Sequence, residues 1–221
     1  MPCPGGKGMV FQKLINMIPP HERFIESHLG GGSVIKNILP APLGSIGIEP
    51  DKYTIRDLWS DCPAHINVIE GFADYELVRL GLRKNDFVYC DPPYLPETRT
   101  SGSIYRYEMK KNDHVSLLIF LKLLPCKVML SGYRSKLYMT ELKDWRLVTF
   151  MSQTRGNVMR EECVWMNYPE PNELHDYRYL GDEFRERERI QKKVKRNINK
   201  FHKIPILERR AIMAALNNEF N

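Results

Sequence analysis

The run Phe87-Val88-Tyr89-Cys90 ends in Asp91-Pro92-Pro93-Tyr94, and that junction constrains the fold more than any other stretch of the chain. Four apolar residues in a row read as a buried strand. Proline has no N–H for a sheet ladder, and its ring restricts the residue before it. The strand must therefore stop at Asp91. That leaves an acid, a rigid turn and an aromatic ring at its carboxyl end. In an open α/β sheet, ligands bind beyond the carboxyl ends of the strands. Taken alone, the same residues could form an acidic surface turn that happens to carry a tyrosine.

A second stretch weighs against that bland reading. Phe24-Ile25-Glu26-Ser27-His28-Leu29-Gly30-Gly31-Gly32-Ser33-Val34 reads as a short apolar strand, a glycine turn and the start of a helix. Glycines let the backbone approach a ligand closely, and a helix start aims N–H groups at it. Ser45-Ile46-Gly47-Ile48-Glu49-Pro50-Asp51 follows, a second strand ending in carboxylates. Glu49 lies 17 residues after Gly32, near the spacing at which an acid grips ribose hydroxyls in dinucleotide folds. Strand, glycine turn, helix, strand, acid points to a nucleoside cofactor.

The rest of the chain alternates in the same way. Strands are expected at Arg23–Ser27, Ser45–Glu49, Ile66–Ile69, Asp86–Cys90 and Cys126–Leu130. Each is short and apolar, as in a parallel sheet covered on both faces. Helices are expected at Ser33–Leu39, Asp51–Ser60, Asp74–Leu82, Asn112–Leu124 and Ser135–Lys143. Arg146–Ser152 and Glu161–Asn167 read as a hairpin around Gln153-Thr154-Arg155-Gly156-Asn157. Residues 168–182, with Pro169, Pro171 and Gly181, read as a linker. Asp182 can cap a helix running to about His202, with Ile190, Val194, Ile198 and Phe201 as one narrow apolar stripe. Pro205 starts a second helix to about Leu216, with Ile206, Ile212, Met213 and Leu216 as its apolar set.

Together these residues resemble the Dam-like, D12-class N6-adenine DNA methyltransferases, which use S-adenosylmethionine. Pro4-Gly5-Gly6-Lys7-Gly8 is similar to that family's N-terminal motif. Leu130-Ser131-Gly132-Tyr133 and Glu162-Cys163-Val164-Trp165-Met166-Asn167-Tyr168 resemble two later ones, in the family's order across residues 4–168. The resemblance implies an α/β fold. The expected form is the Rossmann-like doubly wound sheet of the class I S-adenosylmethionine-dependent methyltransferases, with a terminal antiparallel hairpin. Residues 1–170 would form the catalytic domain and residues 171–221 a basic helical extension. One family feature has no room. A target recognition domain usually precedes the Asp-Pro-Pro-Tyr motif, yet only 39 residues separate Asp51 from Asp91.

The resemblance also implies roles. Asp91 and the Pro92 carbonyl would accept hydrogen bonds from the target amino group, with Pro93 fixing the turn. Tyr94 would offer a ring face to the flipped base, a role that needs the ring and not the hydroxyl. Gly30, Gly31 and Gly32 would border the methionine end of S-adenosylmethionine, Glu49 its ribose and Asp74 its adenine, with Asp91 at the methyl end. Lys7 is implied to meet the cofactor or the flipped nucleotide, a solvated loop lysine being the alternative. From the residues themselves, the polar stretch Leu95 to Met109 with Arg99 and Arg106 reads either as a loop over the flipped base or its phosphates or as a plain surface connection, and Tyr133 and Arg134 lie past a strand end on a face that double-stranded DNA could meet.

Charge divides unevenly. Residues 181–221 hold 11 Lys and Arg against 6 Asp and Glu, a net +5 of the whole chain's +6. A near-neutral core with a basic tail fits a polyanionic partner, although a charged helix can simply be solvated. Arg185, Arg189, Lys192, Lys193, Lys195 and Arg196 are the candidate phosphate contacts. The two amphipathic helices leave open a homodimer through this extension. The five cysteines are scattered with no C-x-x-C, so neither a disulfide framework nor a zinc site is expected, and no metal. No apolar run approaches a membrane span, and Met1 to Phe11 lacks a signal-peptide core. A cytoplasmic enzyme with no membrane contact is expected.

The function expected from all this is methyl transfer from S-adenosylmethionine to N6 of a flipped adenine in duplex DNA. GATC, the family's commonest target, is the candidate site, in an orphan, phage or restriction-modification setting. An RNA N6-adenine methyltransferase would carry the same catalytic motif, because the chemistry at N6 is the same. A catalytically inactive nucleic-acid-binding module is the reading from another class.

Overall fold

A computed structural model describes residues 7, 8, 10–99, 102, 105–153 and 158–220. Lys7 precedes a short helix, α1 (Phe11–Ile15). Five parallel strands follow, β1 (Arg23–Glu26), β2 (Ser45–Glu49), β3 (Ile66–Glu70), β4 (Asp86–Cys90) and β5 (Lys127–Gly132). Between them lie α2 (Lys52–Trp59), α3 (Ala73–Arg79), α4 (Lys111–Leu123) and, after β5, α5 (Lys136–Glu141). The hairpin strands β6 (Arg146–Gln153) and β7 (Met159–Met166) complete a seven-stranded sheet of order β3-β2-β1-β4-β5-β7-β6. The turn residues 154–157 lie outside the described residues.

Sequence and packing agree on why this sheet forms. All five residues of β4 are buried, as a central parallel strand covered on both faces requires. Period-two alternation then sorts the core into two layers. Ile25, Ile48, Val88, Val128, Leu130 and Trp165 share one cluster with Leu77 of α3, Leu117, Leu118 and Leu121 of α4 and Tyr138 of α5. Their neighbours Phe24 and Phe87 point the other way, stack with centroids 5.9 Å apart, and meet His21 and Tyr168. At the amino ends of β1 and β4, Arg23 grips both oxygens of Asp86 at 2.9 and 2.5 Å.

The helix expected at Ser33–Leu39 does not form. The segment is a series of turns. The Ile35 amide, which a helix start would leave free, donates to the buried Glu26 Oε2 at 2.8 Å. The Asn37 side chain donates to the Ser33 carbonyl at 2.9 Å, and Pro40 and Pro42 follow at once. The Asn37 side chain on the Ser33 carbonyl and the nearby prolines thus cut the helix short.

The chain divides into two compact units, residues 1–176 and 177–221. The expected linker begins later than 168 because its first half packs on the first unit. The Tyr168 hydroxyl donates to the Met17 carbonyl at 3.0 Å, the His175 ring stacks on His21 at 3.9 Å, and Asp176 accepts the Leu39 amide at 3.1 Å. The second unit holds α6 (Phe184–His202) and α7 (Ile206–Phe220). Its first helix starts after Glu183, and Asp182 makes no cap; the Asp182 amide donates to Glu186 instead. None of the residues of α6 or α7 is buried.

Candidate active site

Register decides which side chains meet. In the strand order the neighbours of β1 are β2 and β4, so the order reverses between β1 and β4, and a crevice opens beyond their carboxyl ends. Glu26 pairs with Tyr89 across that switch point. The glycine turn after β1 and Asp91 after β4 therefore emerge side by side. Glu49 ends β2 and Asp74 lies in the first turn of α3, on the β3 side. Tyr133 follows β5. Because β7 runs antiparallel, with Gly132 opposite Cys163, its first half reaches the same edge and brings Glu162 beside Tyr133.

The glycine turn is held from three directions. Gly30 has φ 45° and Gly32 φ 61°, where only glycine sits without strain. Glu49 Oε2 accepts the Gly30 amide at 2.9 Å, while Oε1 accepts the Asp51 amide at 2.9 Å. The Trp59 indole donates to the Gly30 carbonyl at 2.9 Å. A Cβ on Gly32 would come within 2.3 Å of the Trp59 ring, so this glycine makes room for packing. Burial raises the Glu49 carboxyl, against the pull of the two amides.

On the β4 side, charge converges in a small volume. Lys7 starts the first turn among the described residues, its carbonyl accepting the Val10 and Phe11 amides at 2.9 and 2.8 Å, and its side chain lies inside the site. Its ammonium lies 2.7 Å from Asp91 Oδ1, 2.6 Å from the Tyr94 hydroxyl and 3.4 Å from Glu162 Oε1. The Tyr94 hydroxyl donates to Glu162 Oε1. The side chains of Lys7, Asp91 and Glu162 are 8, 15 and 5% exposed, so little water screens them. Burial opposes charge on Lys7, but Asp91 and Glu162 outweigh it and raise the ammonium above its usual range. Burial pushes the Asp91 carboxyl up to about 6, with Lys7 pulling it down and Glu162 adding to the rise. Nearby, burial lowers His28 to about 4 and raises Cys90 to about 12, so their 3.5 Å contact joins a neutral ring to a neutral thiol.

The predicted residues do not all face the crevice. Asp91, Pro92, Pro93, Tyr94, Lys7, Glu49, Asp74 and the glycine turn come together along the strand ends. Pro4, Gly5 and Gly6 lie outside the described residues. Arg99, expected to face phosphates, is 7% exposed and locked to both oxygens of Glu108 at 3.1 and 2.5 Å. Arg106 sits over the Tyr53 ring at 4.4 Å and 3.5 Å from Asp51, on the cofactor side. Tyr133 meets Tyr94 edge to face at 4.5 Å. Arg134 is exposed and pairs with Glu161 at 3.0 Å. Arg185, Arg189, Lys192 and Arg196 recur at helical spacing along one face of α6, with Lys193 and Lys195 flanking it.

Two residues escaped the sequence reading. Glu162 was visible only as part of a motif; the signal was an acid opening a run of buried apolar residues. Arg160 lies over the Tyr133 ring at 4.4 Å and donates to the Thr98 carbonyl at 3.0 Å, tying the hairpin to the loop after Tyr94.

The strand order, the glycine turn after β1, the acid after β2 and the Asp-Pro-Pro-Tyr turn after β4 define a class I S-adenosylmethionine-dependent methyltransferase fold. The donor set fits that cofactor. Each Glu49 oxygen accepts one amide and keeps a lone pair for a ribose hydroxyl. Residues 54–149 match the sequence model of the D12 class N6 adenine-specific DNA methyltransferases. That match contains Asp91 and Tyr94; Lys7, Glu49 and Glu162 lie outside it. No curated protein matches the chain in sequence.

Similar solved structures include a putative RNA methyltransferase from Pyrococcus horikoshii, 13% identical, covering 71% of this chain and 79% of that one at TM-score 0.47. A dimethyladenosine transferase from Plasmodium falciparum is 14% identical, covering 75% and 62% at TM-score 0.48. An O-methyltransferase from Bacillus cereus in complex with SAH is 11% identical, covering 72% and 80% at TM-score 0.45. Among the described residues no group of three or more His, Cys, Asp or Glu is placed to hold a metal, and no helix is long and apolar enough to cross a membrane.

Proposed function

We propose that this chain is a site-specific DNA N6-adenine methyltransferase. The observation that carries the reading is Asp91-Pro92-Pro93-Tyr94 at the carboxyl end of β4, beside the glycine turn and inside the matched segment. The N6 amino group is a poor nucleophile because its lone pair is delocalised into the ring. Asp91 would accept one amino hydrogen in a charge-assisted bond, and the Pro92 carbonyl the other, which localises the lone pair. The carboxylate also stabilises positive charge developing on nitrogen. S-adenosylmethionine, when bound, supplies an electrophilic methyl group.

The remaining roles fall to side chains along the strand ends. Glu49 would hold the ribose and Asp74 the adenine of the cofactor. N6 is out of reach inside a duplex, so the base must flip, at a cost of a few kcal/mol. Lys7 holds the hydroxyl end of Tyr94 at 2.6 Å and Tyr133 braces the ring edge to face, so the ring would be fixed in place for the flipped base to stack on. Arg134 and the basic face of α6 would meet phosphates, which would let residues 177–221 stand in for an inserted recognition domain. Methyl transfer from tritiated S-adenosylmethionine tests the reading, with duplex DNA and RNA as separate acceptors. N6-methyladenine in the DNA is the expected product. Label only in RNA, or none in either, refutes it.

A further inference from the structure

We propose that Glu162 is the second seat of the Lys7 ammonium, which gives up Asp91 and stays with Glu162 and the Tyr94 hydroxyl when the target amino group arrives. The inference rests on the methyltransferase reading of the site and adds a positioning residue to it. Three distances motivate it. The ammonium sits 2.7 Å from Asp91 Oδ1, and 3.4 Å from Glu162 Oε1, with the Tyr94 hydroxyl at 2.6 Å. The carboxylate that must accept the substrate's amino hydrogen is thus already engaged by a cation. The ammonium's positive charge offsets part of the carboxylate's attraction for a neutral N–H.

Lys7 cannot simply withdraw. Its side chain is 8% exposed, and an unpaired buried ammonium is costly. Glu162 removes that obstacle. It is 5% exposed, shares the Tyr94 hydroxyl with Lys7, and already stands 3.4 Å from the ammonium. No proton changes hands: the lysine stays charged and exchanges one carboxylate partner for another. The three charged groups sum to −1, one ammonium against two carboxylates. After the exchange Lys7 and Glu162 neutralise each other, and Asp91 faces the acceptor nitrogen with its full charge.

The test uses the full chain, tritiated S-adenosylmethionine and duplex DNA lacking N6-methyladenine. Glu162→Gln should lower kcat/KM for DNA by about 10²-fold, the scale of a misplaced catalytic group, while S-adenosylhomocysteine binds as in the parent. Glu162→Asp keeps the charge and should retain more activity. Lys7→Met combined with Glu162→Gln restores a net charge of −1 and frees Asp91, so it should exceed Glu162→Gln alone about tenfold. Full activity in Glu162→Gln, equal loss in the Asp and Gln variants, or a double variant no better than Glu162→Gln overturns the proposal. A second readout does not need activity. Carbon-13 NMR titration of the Asp91 carboxyl should show it falling in Glu162→Gln and rising in Lys7→Met. An Asp91 titration unmoved by Glu162→Gln refutes the coupling. A wild-type protein that methylates no DNA refutes only the functional reading.

Discussion

Gly30 donates its amide to Glu49 Oε2 at 2.9 Å, so the turn after β1 and the acid after β2 are one unit. Glu49 also accepts the Asp51 amide, and Asp51 in turn caps α2 through the Tyr53 amide at 3.1 Å. The residue assigned to the ribose is therefore also the clamp that shapes the glycine turn. Glu49→Ala should weaken S-adenosylhomocysteine binding about 10–100-fold, the loss of hydrogen bonds to a charged group at about 1.5–3 kcal/mol. Isothermal titration calorimetry checks it. Glu49→Gln, which keeps an acceptor oxygen, should fall between.

Gly32→Ala should destabilise the whole first unit. The new Cβ would meet the Trp59 ring at 2.3 Å, and φ of 61° disfavours any side chain. A cost of about 1–3 kcal/mol is expected from overpacking. Thermal unfolding followed by tryptophan fluorescence reads both the lower Tm and the displaced indole.

In the proposed reaction Asp91 accepts an amino hydrogen as a carboxylate. Burial pushes its carboxyl up to about 6, Lys7 opposes that and Glu162 adds to it. Activity should thus climb with rising pH through about 6, because below that value the carboxyl holds its proton. Lys7→Met removes the cation that favours ionisation, so the acid limb should move to higher pH. Asp91→Ala should abolish transfer at every pH and still bind S-adenosylhomocysteine. A pH–rate profile measured on each variant decides.

Tyr94→Phe tests the hydroxyl. From the sequence only the ring matters, and the substitution looks mild. In the structure the hydroxyl accepts from Lys7 at 2.6 Å and donates to Glu162. Removing it leaves buried charged groups short of a partner, so a loss of about 1–3 kcal/mol in transition-state binding is expected. That is roughly 5–150-fold in kcat/KM by the usual conversion, read from steady-state kinetics.

The basic face of α6 predicts a salt dependence. Replacing Arg189 and Arg196 with Glu should weaken binding to duplex DNA whatever its sequence. The slope of log affinity against log salt should shrink by about 2, near 0.9 for each phosphate that is no longer neutralised. Fluorescence anisotropy at several salt concentrations measures it. An unchanged slope would leave α6 a solvated helix and move recognition to the loop bearing Arg134.

What the sequence determined by itself is what is local. Two prolines end β4 at Asp91 through ring geometry alone. Short stretches rich in apolar residues mark β1 to β5, and the unbroken run Phe87 to Cys90 marks β4 as the strand buried along its whole length. The +5 concentrated in residues 181–221 is plain from composition. Tertiary structure alone decided what depends on partners far along the chain. No local pattern says that Lys7 would sit between Asp91 and Glu162; that follows from where α1 starts and from β7 entering antiparallel beside β5. The segment Ser33–Leu39 reads locally as a helix, and nothing local says that the buried Glu26 would take its Ile35 amide. Arg99 reads as a free cation and is spent on Glu108. In each case a buried charge or amide must find a partner, and the fold, through register and burial, chooses which one.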